Sequence, residues 1–232
     1  MTNHPLGDEI YAAYASGALS GPMRLLLDAQ SAVNAEVARA RQTVEAAAGV
    51  LLASEAPAEM APNALATLFD IIDTEEAGLG EAGPARFNAR TGSETSRDAA
   101  QKAGQAIDEL LDLPGSVRDL ALETGGWSFA GPGVRTMPLM TEDGAKAELI
   151  RIEPGRGVPH HGHDGTEFTL VLSGGFSDGR GSYGPGDVCM ANPDTIHKPI
   201  ADEGEVCIVL AVTDGPLAFT GALGWIQRAL SR

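Results

Sequence analysis

The sequence predicts a two-part protein of the α+β multidomain class, with a small helical bundle at the N-terminus and an all-β barrel or sandwich after it. Two observations support this prediction. Apolar residues recur at helical spacing over residues 1–73, in alanine-rich sequence that favours helix. From Trp127 onward, short apolar or alternating runs are separated by turns rich in Gly, Pro and Asp, as in a β-sandwich or barrel.

The helical elements can be placed by their apolar stripes and by the prolines between them. A first helix around Ile10 and a long stripe that begins at Met23 precede Pro57 and Pro62, which interrupt helix. A short amphipathic helix follows, and it suits either packing inside the protein or docking of a partner. Its stripe has i, i+3, i+4, i+7 spacing and consists of Leu65, Leu68, Phe69 and Ile72. Another short helix is predicted over residues 106–111.

The strands are predicted from five runs, and the polar, glycine-rich sequence before them reads as a linker. We therefore predict a helical domain over residues 1–73, a linker over 74–106 and a β domain over 107–232. The runs that predict strands are residues 134–140, 148–152, 168–172, 187–190 and 206–212. Cys189 and Cys207 lie within two of these runs, which favours buried thiols over a disulfide.

Composition excludes some classes of function. The chain has 232 residues, with 32 acidic and 16 basic side chains and a net charge of −16. Direct binding to nucleic acid or to an anionic membrane needs a basic face, so neither is expected. No run of eighteen apolar residues predicts a membrane span, and acidic residues near the N-terminus replace the basic start of a signal peptide. We therefore expect a cytoplasmic protein.

Four histidines in residues 160–197 form the most informative pattern in the chain. His161 and His163 are two residues apart, so on a strand they share one face, and Glu167 keeps that parity. With His197 from a later segment they would supply three nitrogens and one oxygen, which suits zinc, iron, manganese or nickel. The alternative is a cluster of surface histidines in a turn.

The spacing around these residues matches a known motif. Gly155-x5-His161-x-His163-x3-Glu167-x6-Gly174 fits the first cupin motif at every fixed position. Gly186-Asp187, Pro193 and His197 resemble the second cupin motif, with Ala201 where that motif ends in Asn. This resemblance implies that the β domain is a cupin barrel of the RmlC-like jelly-roll type.

Longer segments resemble the ChrR-type anti-sigma factors, which join a helical domain to a cupin. The matching segments are residues 8–19, Trp127 with 131–135, residues 158–163, residues 167–174 and residues 210–219. The resemblance implies that helices within residues 8–73 bind an extracytoplasmic-function sigma factor and that the cupin takes part in the response to singlet oxygen or reactive electrophiles. It also implies metal ligands at His161, His163, Glu167 and His197, with zinc the first expectation.

One part of that family's pattern is missing. Its N-terminal domain carries zinc through an HxxxCxxC motif and an upstream His, whereas those three positions here are Gln30, Asn34 and Val37. Only His4 remains, and structural zinc needs four nitrogen or sulfur ligands. We therefore predict no zinc in the N-terminal domain.

Two other functions are consistent with the residues. A metal-dependent cupin enzyme, a dioxygenase or isomerase acting on a small molecule, would use the same metal group. No catalytic residue can be assigned to it: His160 and Tyr183 are candidate general bases, but a structural or exposed role explains each of them better. A cupin that senses a small-molecule ligand, with helices that serve dimerisation, is the other alternative.

Overall fold

The computed structural model describes residues 6–78, 104–124, 126–163, 165–213 and 217–219, with only the backbone described at 75–78, 163 and 217–219. The contacts divide the chain into two compact units, one of residues 1–48 with 105–232 and one of residues 49–104. These boundaries differ from the predicted 1–73, 74–106 and 107–232, which stay a prediction. Most of the predicted linker, residues 79–103, lies outside the described residues.

The helices confirm the predicted helical N-terminal part. The two helices that the sequence merged into one stripe are separated at Asn34, whose carboxamide oxygen accepts the backbone N–H groups of Glu36 and Val37 at 3.0 and 3.3 Å and so caps the second of them. No helix among the described residues is long and apolar enough to cross a membrane. The helices are α1 Asp8–Ala15, α2 Gly21–Val33, α3 Ala35–Ser54, α4 Ala64–Gly78, α5 over 104–111 and α6 Gly115–Glu123.

The C-terminal part is mostly β, as predicted, and its strand pairs are antiparallel. The sheets have the strand orders β1-β2-β3-β10-β5-β8, β11-β4 and β7-β6-β9. The strands are β1 Ser128–Gly131, β2 Val134–Glu142, β3 Ala145–Ile152, β4 His161–His163, β5 Glu167–Ser173, β6 Phe176–Ser177, β7 Ser182–Tyr183, β8 Val188–Ala191, β9 Ile200–Ala201, β10 Cys207–Thr213 and β11 Leu217–Phe219.

The six-stranded sheet is covered on both faces. All seven residues of β10 are buried: Ile208 and Leu210 pack with the helices, while Cys207 and Val209 pack with residues of the three-stranded sheet. A strand covered on both faces consists of a continuous apolar run, and for this reason apolar and polar residues do not alternate over residues 206–212. We call the side of Ile208 and Leu210 the outer face and the side of Cys207 and Val209 the inner face.

Helix α2 covers the outer face. It contacts β2, β3, β5, β10 and α6, and its Leu26 and Leu27 are fully buried. Burying a leucine side chain contributes roughly 1.5–3 kcal/mol, so these two residues add substantially to the stability of the unit. α6 was not predicted, because its buried residues Val117 and Ala121 are too few to form a clear stripe.

A polar cluster joins α1, α2 and α3. The Tyr14 hydroxyl donates to Asp28 at 2.6 Å, Arg41 forms an ion pair with the same carboxylate at 2.8 Å, and the Arg41 guanidinium lies 5.3 Å from the Tyr14 ring centre. Asp28 and Arg41 are partly exposed, so the ion pair contributes little by itself. Together these contacts link the three helices to one another.

Candidate metal centre

His161 and His197 are brought together by their own backbones. His161 begins β4, and His197 lies in the loop between β8 and β9. Each backbone N–H donates to the carbonyl oxygen of the other residue at 3.2 Å. The two rings therefore face each other, with their Nε2 atoms 3.1 Å apart and both side chains buried.

The partners of the other ring nitrogens indicate which tautomers are present. His161 Nδ1 lies 2.8 Å from the carbonyl oxygen of Pro159, and His197 Nδ1 lies 3.3 Å from Oδ2 of Asp178. Both partners are acceptors, and we therefore assign the proton of each ring to Nδ1, which donates it. With this assignment the two Nε2 atoms face each other as acceptors, an arrangement that a cation between them would stabilise. Burial lowers the pKa of both histidines, which favours the neutral form that binds metal.

Glu167 adds a carboxylate to the same place. It begins β5 on the inner face, and one of its oxygens lies within 4.8 Å of the His161 and His197 nitrogens. Burial raises its pKa to about 7, although the Thr169 hydroxyl, which donates to Oε1 at 3.0 Å, opposes that shift. A nearby divalent cation favours the ionised form of such a carboxylate. The three described side chains thus form a group that can hold a metal ion.

The fourth predicted ligand, His163, is described only in its backbone. It lies two residues from His161 on β4, which is the spacing that places both on one side of a strand. Its side chain lies outside the described residues. The full set of His161, His163, Glu167 and His197 therefore stays a prediction.

Sequence reasoning missed Asp178, which holds His197 in place. Its Oδ1 accepts the backbone N–H groups of Arg180 and Gly181 at 2.9 and 3.0 Å, and its Oδ2 faces His197. Burial by itself raises the pKa of Asp178, but these hydrogen bonds outweigh it, and the pKa is lowered. A carboxylate behind a ligating histidine fixes the ring and strengthens the ligand. The only sequence signal was an aspartate in a turn, which is common in any β protein.

Cys189 completes this network. Its thiol donates to Oδ2 of Asp178 at 3.7 Å, and Asp178, Cys189 and His197 form a second group with metal-ligand atoms close together. Burial raises the pKa of Cys189 to about 11, so it stays a protonated donor. With the thiol protonated, this second group is a hydrogen-bonded support for His197.

Neither general-base candidate belongs to the group of His161, Glu167 and His197. Tyr183 is buried and stacked on Phe176 with ring centres 4.9 Å apart, and burial raises its pKa, so its hydroxyl stays neutral. His160 is exposed and lines an open cleft of about 590 Å³ together with Lys198 and Glu203. The described geometry thus assigns a catalytic role to neither.

The positions where the family's N-terminal zinc motif would lie have other contacts. Asn34 caps α3, Val37 is buried in the apolar cluster, and Gln30 donates through its amide nitrogen to the carbonyl oxygen of Gly186 at 3.1 Å. His4 lies outside the described residues. The expectation of no zinc in this segment stays a prediction.

Comparison with known proteins shows which family this chain belongs to. The family described as "ChrR Cupin-like domain" matches residues 120–218. The curated anti-sigma-E factor ChrR of Cereibacter sphaeroides is 31% identical over 220 residues, which cover 95% of this chain and 93% of that protein. The chain belongs to the ChrR family of anti-sigma factors. Among solved structures, Rhodobacter sphaeroides SigE in complex with the anti-sigma ChrR contains a chain 29% identical to this one, with a TM-score of 0.65 over 91% of this chain and 98% of that one. Membership of the ChrR family confirms both the resemblance and the cupin part of the predicted fold.

We expect Asp178→Asn to weaken zinc binding by about 10- to 100-fold, because the amide no longer fixes the proton on Nδ1 of His197. A competition titration with a zinc chelator measures the change. Asp194→Asn is the matched control, since Asp194 is an exposed aspartate three residues from His197. Equal zinc affinity for Asp178→Asn and the wild type would show that His197 needs no support.

Proposed function

We propose that this protein is an anti-sigma factor that sequesters an extracytoplasmic-function sigma factor through helices within residues 8–73, while its cupin holds one divalent metal ion and senses oxidative stress. The proposal places the protein in the cytoplasm, where RNA polymerase works. Family membership favours this regulatory role over an enzymatic one.

The observation that carries the proposal is the exposed apolar surface of α4. Five large apolar side chains of α4 are between 42% and 59% exposed. The end of α3 adds Val50, Leu51 and Leu52, which are 70–76% exposed. Monomeric proteins seldom leave so much apolar side chain in water, so such a surface indicates a partner. The α4 surface consists of Leu65, Leu68, Phe69, Ile71 and Ile72.

The relatives support a sigma factor as that partner. The Cereibacter sphaeroides relative is named an anti-sigma-E factor, and the Rhodobacter sphaeroides protein was solved in complex with SigE. Sigma factors present basic surfaces for DNA, and an acidic protein of charge −16 complements them. The apolar α4 surface would supply most of the affinity, since buried aromatic and aliphatic anchors dominate interfaces.

The cupin would hold its metal through His161, His163, Glu167 and His197. Two neighbouring imidazole nitrogens and a buried carboxylate fit zinc, and iron, manganese or nickel accept the same donors. Bound there, the metal would supply Lewis acidity and a position for a small-molecule ligand. Sensing of singlet oxygen or electrophiles by this site is part of the proposal.

Co-expression tests the partner. The full-length chain, produced with each extracytoplasmic-function sigma factor of its own organism, is expected to form a stable one-to-one complex with one of them, seen as a single species in size-exclusion chromatography with mass measurement. A chain that elutes alone in every combination would contradict the proposal.

A further inference from the structure

Gln30 is a buried polar side chain that joins α2 to a turn of the β barrel. It is fully buried, and its Nε2 donates to the carbonyl oxygen of Gly186, 156 residues further along the chain. Its Oε1 is buried without a hydrogen-bond partner among the described residues. Burying a half-satisfied amide is costly, so apolar packing alone would favour a leucine here.

The turn that receives Gln30 is closely fitted to the end of α2. Gly186 has φ +89°, and a Cβ added there would lie 3.2 Å from the Cβ of Asn34. The turn is held by the N–H of Gly186, which donates to Val171 at 2.9 Å, and by Asp187, which accepts from the N–H of Gly184 at 3.0 Å. The Gln30 contact is therefore made with a backbone of fixed geometry.

The same turn leads directly into the support of the metal centre. β8 begins two residues after Gly186, with Val188 in the apolar cluster of the helices and Cys189 on the inner face. Cys189 donates to Asp178, and Asp178 accepts from His197. A short chain of contacts thus runs from His197 to α2.

We infer that Gln30 is a positioning residue that couples the metal state of the cupin to α2 through residues 178–189. When His161 and His197 share a metal, His197 is fixed, and Asp178, Cys189 and the turn at Gly186 keep the geometry that Gln30 needs. When the metal is removed, this tie between the two rings is lost and the same contacts loosen. The inference rests on the metal site of the proposed function but not on sigma-factor binding.

Hydrogen exchange of the full-length chain, read by mass spectrometry with zinc bound and after chelation, tests this coupling. In the wild type, amides of α2 are expected to exchange at least about tenfold faster without zinc. In Gln30→Met, which keeps the side-chain volume but removes the amide, the two states should agree within about twofold. Gln42→Met on the exposed side of α3 is the matched control and should keep the wild-type response.

Metal analysis in the same samples separates the outcomes. The coupling is overturned if hydrogen exchange of α2 in the wild type is the same with and without zinc. It is also overturned if α2 of Gln30→Met responds to zinc as strongly as α2 of the wild type. A wild-type chain that binds no zinc overturns the metal site and the coupling together. If Gln30→Met does not fold, Gln30→Asn, which withdraws the amide by one methylene, must show the same loss of response. A full zinc response without any sigma-factor binding would overturn only the partner proposal.

Discussion

His197→Ala is expected to raise the dissociation constant for zinc by at least about a hundredfold. Structural zinc binds to zinc-finger peptides with about 10–16 kcal/mol over four ligands, which makes one ligand worth about 3 kcal/mol, and we apply the same scale here. The backbone pairing between His197 and His161 does not depend on the side chain, so the barrel should remain folded. Metal analysis and a chelator competition titration measure the loss, and His160→Ala, at an exposed histidine, is the matched control.

Two further measurements test the same metal site. His163→Ala in the same titration decides whether the fourth ligand is used, with a loss similar to that of His197→Ala expected. Sigma-factor binding should persist in His197→Ala, because the α4 surface does not include the metal centre. One zinc per chain at wild-type affinity in His197→Ala would mean that the metal lies elsewhere.

Phe69→Asp is expected to weaken sigma-factor binding by at least about a hundredfold, the effect of removing an aromatic anchor and placing a charge in an apolar interface. Phe69 is 56% exposed, so the substitution removes little core and should leave zinc content and melting temperature unchanged. Isothermal titration calorimetry against the sigma factor found by co-expression measures the change.

Thr67→Asp is the matched control for this substitution. It introduces the same charge at an exposed position on the opposite side of α4 from the stripe of Leu65, Leu68 and Phe69. Its binding should stay within about threefold of wild type. Equal losses in both variants would show that added negative charge, and not the apolar surface, weakens the complex.

The grouping of His161, Glu167 and His197 could be predicted from sequence, because strand parity and motif spacing relate these residues. Glu167 falls on the inner face as alternation along β5 requires, and His197 meets His161 across 36 residues. Asp178 could not be predicted, since its role depends on a turn that folds back onto His197 and has no spacing rule.

The element that covers the six-stranded sheet could not be predicted from the sequence either. The stripe of α2 predicts an apolar face, but nothing in Leu26, Leu27 or Gln30 says that this face lies on the cupin sheet and not on neighbouring helices. The predicted boundary at residue 73 stays a prediction, although α2 lies before it and contacts the six-stranded sheet. Tertiary contacts of this kind are set by the whole fold, and local periodicity carries no information about them.

Transcription in vitro tests the central claim most directly. Core RNA polymerase with the partner sigma factor would transcribe a promoter of that sigma factor while full-length, zinc-loaded protein is added up to micromolar concentration. The account predicts that transcription stops at about one protein per sigma factor and that Phe69→Asp fails to stop it. Unchanged transcription at every concentration of the wild-type chain would contradict the account.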